Sequence, residues 1–305
     1  MSGSNWERSA RFTGHRGSVY AMAPDVETDG FLTAGGDGRV VRWDLRTPDV
    51  GEQVADVGKA VFAMHHDRER GWLFLGNEHG GLHVIDLHGR RELRLLQVHE
   101  RGIFHIIPIG PDRIACTGGD GALSVWKVPS MELERRIPLS DEKLRGMATS
   151  PDGAWLAVAG LDGRVRILDT EELNEHWTLE AHARGAASVQ WHPDKPVLFS
   201  GGRDGHLRCW RSDAGFASLY AIPAHRANIY TIAFSPDGHR CATASRDKSV
   251  KVWDAATFDV IDRLELRNGG HTHSVNTLQW MRDGAVLLSC SDDRTIRAWS
   301  PAQSG

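Results

Sequence analysis

The chain has 305 residues, 40% hydrophobic and 25% charged, with a formal net charge of −4, a globular composition without a global basic field for nucleic acid or an anionic membrane. No apolar run approaches the ~20 residues of a membrane-spanning helix, and the opening MSGSNWERSARF has no apolar core of leader-peptide length. Four cysteines without a CxxC pair, Cys116, Cys209, Cys241 and Cys290, read as reduced, buried small hydrophobes of a cytoplasmic protein.

Taken in chain order, the segment Trp6 to Phe12 is extended, and a series of related segments follows it. GDGRVVRWD with Trp43 comes first, then EHGGLHVID with Ile85, GDGALSVWK with Trp126 and LDGRVRILD with Leu168. RDGHLRCWR with Trp210, RDKSVKVWD with Trp253 and DDRTIRAWS with Trp299 complete it, at intervals of 41 to 46 residues. Self-similarity at that period outweighs the two-domain expectation set by length and assigns residues 1–305 to one repeat array. In the sixth copy NIYTIAF alternates around a bulge, SPDG turns, HRCATAS alternates again, RDK turns, and SVKVWD and FDVIDRLEL follow. Period-two alternation broken by tight turns predicts hairpins, and four strands per repeat make a propeller blade.

A His opens five of the copies: Gly14-His15, His99, His182, His225 and Gly270-His271 each lie 27 or 28 residues before the Trp. An Asp lies six residues before the Trp position at Asp37, Asp120, Asp162, Asp204, Asp247 and Asp293, with His79 the exception in copy two. On these residues the chain resembles the WD-repeat family over nearly its whole length. The resemblance implies an all-β, seven-bladed β-propeller with four antiparallel strands per blade, closed by the N-terminal strand completing the last blade.

It also implies hydrogen-bonded tetrads in which Asp accepts from His, and a second-strand hydroxyl meets the His and accepts from the Trp indole. The sets are His15, Thr33, Asp37, Trp43; His182, Ser200, Asp204, Trp210; His225, Thr243, Asp247, Trp253; and His271, Ser289, Asp293, Trp299. Blade three keeps His99, Asp120 and Trp126 but has Cys116 at the hydroxyl position. In blades two and four, Val57 and Ser140 stand for the His, Leu75 and Val158 for the hydroxyl, and Ile85 and Leu168 for the Trp. A half-satisfied buried network is worse than an apolar one, so these two blades are expected to rely on apolar packing alone.

A Ser, His and Asp close together also suggest a hydrolase triad. Here the trio recurs blade after blade with a Trp on the hydroxyl and without a GxSxG elbow, so no catalytic residue is assigned. His65-His66 and His271-x-His273 do not make a three-ligand set, so no metal is expected. The GGDG segments are strand turns and not phosphate cradles, so no cofactor is expected either.

In WD-repeat proteins partner contacts gather on the top face around a central channel. The positions five residues after the opening His map to Tyr20, Phe62, Phe104, Arg145, Ala187, Tyr230 and Asn276. Those just before the turn Asp are Gly36, Glu78, Gly119, Leu161, Arg203, Arg246 and Asp292. Four of the first seven are aromatic in a chain that is 8% aromatic, and aromatics and arginines anchor interfaces. The same rings also suit packing on neighbouring blades, and the arginines suit either acidic groups or a solvated ion-paired face. The candidate partner-binding set is Tyr20, Phe62, Phe104, Arg145, Tyr230, Asn276, Arg203 and Arg246.

The expected function is a non-catalytic protein-interaction scaffold for a protein or peptide, without nucleic acid or membrane as partner, and monomeric on its own. The alternative is a subunit of a larger assembly using its rim. An enzyme of the channel is the third reading, for which aromatics, small residues and arginines are poor catalytic material.

Overall fold

The computed structural model describes residues 5–302, so residues 1–4 and 303–305 of the span read as one propeller lie outside the described residues. The described residues form 28 strands in seven four-stranded antiparallel sheets, the blades of a seven-bladed β-propeller fold.

Strand β1 is Trp6–Thr13. Blade one is β2 (Val19–Pro24), β3 (Gly30–Gly35), β4 (Arg39–Asp44) and β5 (Glu52–Asp56). Blade two is β6 (Val61–Asp67), β7 (Trp72–Asn77), β8 (Gly81–Asp86) and β9 (Arg91–Gln97). Blade three is β10 (Ile103–Pro108), β11 (Arg113–Gly118), β12 (Ala122–Lys127) and β13 (Glu132–Pro138). Blade four is β14 (Leu144–Thr149), β15 (Trp155–Gly160), β16 (Arg164–Asp169) and β17 (Glu175–Glu180). Blade five is β18 (Ala186–Trp191), β19 (Val197–Gly202), β20 (His206–Arg211) and β21 (Ala217–Pro223). Blade six is β22 (Ile229–Phe234), β23 (Arg240–Ser245), β24 (Val250–Asp254) and β25 (Val260–Leu264). Blade seven is β26 (Val275–Met281), β27 (Val286–Ser291) and β28 (Thr295–Pro301), with β1 as its fourth strand in the order β26-β27-β28-β1.

The chain divides into two compact units. One holds residues 5–73, 86–91 and 230–302, which include blades one, six and seven. Its core has two clusters. Phe12, Phe31, Trp43, Met281 and Ile296 pack between blades one and seven. Trp6, Val252, Leu264, Trp280 and Trp299 pack between blades six and seven. The other unit, residues 74–85 and 92–229, holds blades three to five. Leu123, Val125, Leu144 and Leu156 pack between its blades three and four, and Ile167, Trp191, Trp210 and Phe216 between four and five.

The first strands carry an irregularity that positions the site. Pairing of β2 with β3 runs from Val19↔Gly35 to Ala21↔Ala34 and skips Tyr20. In the same way Phe104 is skipped in β10, Arg145 and Gly146 in β14, Ala187 in β18 and Asn276 in β26. A β-bulge leaves its extra residue outside the ladder and re-aims the side chain.

Candidate functional site

Polar side chains between the strands close hydrogen-bond networks at one end of the blades, the tetrad end. His15 Nδ1 meets Asp37 at 3.0 and 3.1 Å, and its Nε2 meets Thr33 Oγ1 at 2.8 Å. Trp43 Nε1 donates to the same Oγ1 at 2.8 Å. His182 meets Asp204 and Ser200, both at 2.9 Å, and Trp210 donates to Ser200 at 3.0 Å. His271 meets Asp293 and Ser289, both at 2.9 Å, and Trp299 donates to Ser289 at 2.9 Å. In blade six Trp253 donates to Thr243 at 2.9 Å, beside buried His225.

Donor accounting fixes the protons. The ionised Asp can only accept, so His Nδ1–H donates to it, and the remaining ring nitrogen, Nε2, accepts from the hydroxyl, whose oxygen accepts from the indole N–H. Burial pulls His99, His182 and His271 below the usual imidazole range, against the pull of their Asp partners, which keeps the rings neutral. Burial also works against the charge on Asp37, but His15 and the amides of Arg16 and Arg39 outweigh it and hold the carboxyl at about 2. Thr33, Ser200 and Ser289 are fully buried, so these trios do not present a hydroxyl nucleophile.

Blade three corrects one expectation. Cys116 leaves the second-strand hydroxyl vacant, yet His99 Nε2 meets Ser124 Oγ at 2.9 Å and Trp126 Nε1 donates to it at 3.1 Å. Ser124 lies on β12 directly opposite Cys116, so the hydroxyl enters the same network from the facing strand. Ser124→Ala is therefore expected to lower stability by about 1–3 kcal/mol, as a buried indole N–H and imidazole lose their partner. Cys116→Ser in that background should recover most of the loss in equilibrium urea unfolding. No recovery would show that the facing position cannot stand in.

Blades two and four correct another, since apolar packing alone does not hold them. In blade four Ser140, at the His position, donates to Asp162 at 2.9 Å, and Arg166 donates to the same carboxylate at 2.6 Å. In blade two Asn77 Oδ1 accepts the amides of His79 and Gly81 at 2.8 and 3.0 Å. Asn77 Nδ2 contacts His83 at 2.9 Å, and His83 Nδ1 meets Glu92 at 2.7 Å. Losing the Asp, the hydroxyl and the Trp together left room for a different closed network, as burial of polar groups requires.

The position two residues before the Trp is a further set that sequence reasoning passed over. It holds His83, Ser124, Arg166, Arg208 and Arg297, each of which enters a polar network. Arg208 and Arg297 reach Asp204 and Asp293 at 2.8 and 3.4 Å. In blade three Arg136 on β13 serves Asp120 instead, at 2.9 Å. The available signal was an Arg four residues after the turn Asp in blades four, five and seven.

At the bulged positions, the first unit brings Tyr20 and Phe62 edge to face, with ring centroids 5.3 Å apart. Asn276 Nδ2 donates to Val19 O and to Asp292 Oδ1, both at 2.9 Å, and Thr231 Oγ1 donates to Asn276 O at 2.9 Å. Tyr230, one residue before Thr231, is half-buried, so Tyr230, Asn276, Tyr20 and Phe62 follow one another blade by blade. Arg246 is exposed in the turn after β23.

In the second unit Arg145 lies with its guanidinium carbon 4.3 Å from the centre of the Phe104 ring, and Lys143 Nζ lies 5.6 Å from it. Cations over a ring face are attracted by its quadrupole. Gly119 makes room for this ring, as a Cβ there would lie 3.0 Å from Phe104 Cε2. Ala187 is buried and Arg203 is exposed. Tyr20, Phe62 and Phe104 are half-buried, and each packs against a side chain of a neighbouring blade.

The four cysteines are free and buried, and burial pushes the Cys116 thiol up to about 12. Among the described residues no three His, Cys, Asp or Glu side chains gather as a metal site, and no helix is long and apolar enough to cross a membrane.

Comparison with known proteins agrees with the geometry. Residues 6–44, 135–169, 174–211, 216–254 and 264–300 match the WD40 family, described as WD domain, G-beta repeat. The chain is similar to Protein HIR1 of Cryptococcus neoformans, at 29% identity over 50% of this chain and 20% of that protein. It is 25% identical to human angio-associated migratory cell protein over 90% of this chain and 62% of that protein. It is 26% identical to Polycomb protein esc of Drosophila melanogaster over 63% of this chain and 53% of that protein. The chain thus spans less than two-thirds of the length of each of these curated relatives. With five profile matches covering more than half its length and seven four-stranded blades, the chain belongs to the WD40 repeat family.

Proposed function

We propose that this chain is a non-catalytic interaction scaffold that holds a protein or peptide partner at the tetrad end of its blades, the top face anticipated from the sequence. One observation carries the reading: in five blades the residue five positions after the opening His, or its equivalent, is the bulged residue of its first strand. Bulges recur where a side chain is re-aimed for a task. Three of these five residues, Tyr20, Phe104 and Arg145, are aromatic or cationic, the types that anchor interfaces, and the other two are Ala187 and Asn276. Family membership supports the same end of the blades. In this reading residues 1–305 act as one domain and one chain, in the reducing cytoplasm that four buried free thiols suit.

A second reading uses the rim, and exposed apolar side chains on fourth strands favour it: Leu95 at 55%, Leu133 at 44% and Leu219 at 48% exposure. These sit mostly singly on separate blades, which is ordinary for a protein surface, so the tetrad end is preferred.

The test is capture from a lysate of the cells of origin on two baits, wild type and a folded Tyr20→Ser, Phe62→Ser, Phe104→Ser variant. The reading expects a protein held by wild type and lost by the variant. A protein held equally by both moves the interface to the rim or the opposite strand ends.

A further inference from the structure

The first unit separates its charges by strand end. At the end away from the tetrads most arginines are tied to carboxylates, with exposed Arg68 as an exception. Arg70 pairs with Asp67 at 2.9 Å, Arg90 with Glu52 at 2.9 Å, and Arg282 with Asp29 at 2.6 Å. At the tetrad end the pattern reverses. Arg16 before β2, Lys59 before β6, Arg246 and Lys248 in the turn before β24, and Arg294 in the turn before β28 are all exposed. Among the described residues none of these five cations has a carboxylate partner.

The carboxylates nearby offset these five cations only in part, because several of them are paired with other arginines. Asp56 pairs with Arg39 at 3.7 Å, Glu265 with Arg267 at 2.6 Å and Asp293 with Arg297 at 3.4 Å. Asp37, Asp247 and Asp292 accept from His15, Ser249 and Asn276, bonds that do not cancel a carboxylate's charge, so three carboxylates remain beside the five cations. The cations are therefore a surplus at one end of a unit, in a chain whose net charge is −4. They also flank the half-buried sequence Tyr230, Asn276, Tyr20 and Phe62. Val57 N donates to Gly38 O at 2.9 Å, which sets the loop bearing Lys59 against the turn beside Tyr20.

We propose that this end of the unit takes an acidic segment of a partner protein that carries an apolar or aromatic anchor. The anchor lies against Tyr20 and Phe62, and its flanking Asp and Glu side chains meet Arg16, Lys59, Arg246, Lys248 and Arg294. The inference rests on the docking reading above and adds the chemistry of the partner. Nucleic acid would meet the same cations through phosphate. It is disfavoured because the surplus is scattered over separate loops around apolar rings and does not run as a stripe along one element.

The experiment is fluorescence anisotropy with three labelled probes: a glutamate-rich peptide with a central Phe-Leu pair, the same peptide with Gln for every Glu, and a duplex DNA. Arg16→Gln, Lys59→Gln and Arg246→Gln are combined in one variant. All three are exposed and outside the left-handed backbone region, so an unchanged melting temperature is expected. The acidic peptide should bind and the Gln peptide should not. The variant should weaken binding about tenfold at low salt, the combined effect of three exposed charge contacts, and much less at high salt. No binding of the acidic peptide, equal binding of the Gln peptide, an unaffected variant, or tighter binding of DNA would each overturn the proposal. The two readings fail separately. If the cation variant still captures the lysate partner that the aromatic variant loses, docking at this end stands and the acidic segment falls. If the aromatic variant captures it too, the docking reading itself falls.

Discussion

A chain lacking residues 1–12 will not form a cooperatively folded protein. Strand β1 is the fourth strand of blade seven, paired with β28 from Trp6↔Pro301 to Thr13↔Thr295. It supplies large side chains to two cores. Trp6, 3% exposed, meets the Trp280 ring edge-on at 5.7 Å, and fully buried Phe12 meets Phe31 at 5.0 Å and Trp43 at 5.7 Å. Removing either aromatic from a packed core costs about 3–5 kcal/mol, and a typical domain holds only about 5–15 kcal/mol in all. The deletion also uncovers the long edge of β28, an aggregation template. Near-ultraviolet circular dichroism with a thermal scan reads the outcome. Loss of the cooperative transition or precipitation is expected, and an unchanged melting temperature would sink the closure.

Asp293→Ala should be the most damaging point change among the tetrads. This carboxylate accepts from His271 at 2.9 Å, from the amide of Thr272 at 3.1 Å, and from the amide and hydroxyl of Thr295 at 3.1 and 2.6 Å. It also faces Arg297, which is 5% exposed and donates to Gly269 O. Burial pulls the Arg297 guanidinium down to about 10, against the pull of Asp293, so it remains charged at neutral pH. Removing the anion strands a buried cation, which costs about 3–5 kcal/mol. Replacing both, as Asp293→Ala with Arg297→Met, removes the stranded charge and should be milder than the single change. Urea midpoints for the pair of variants check this. A single change as mild as the double would show that Arg297 draws its stability from elsewhere.

How much could be read beforehand follows from what each signal encodes. The His-to-Trp spacing and the turn Asp reflect strand lengths that a blade cannot vary much, so the tetrads of blades one, five and seven were legible to the residue. The closing strand was legible too, because a blade with three strands needs a fourth. What escaped were partners set by cross-strand register. Ser124 opposite Cys116 is invisible to a rule that expects the hydroxyl on the second strand. Asn77 and Glu92 lie at positions that carry no signature in other blades, and only the register of β7, β8 and β9 brings them to His83. At the candidate site the sequence placed Tyr20, Phe104 and Asn276 on first strands, and it read the bulge only in blade six. It did not show that Arg145 would lie over Phe104, nor that the cations at the tetrad end would lack carboxylate partners.

The most direct measurement is hydrogen–deuterium exchange of the chain with and without the protein recovered on the wild-type bait. Docking at the tetrad end predicts slowed exchange in the segments around Arg16 to Tyr20, Lys59 to Phe62, Gly102 to Phe104 and Arg246 to Ser249, with the fourth strands unchanged. Slowed exchange confined to β9, β13 and β21 would contradict it and place the partner on the rim.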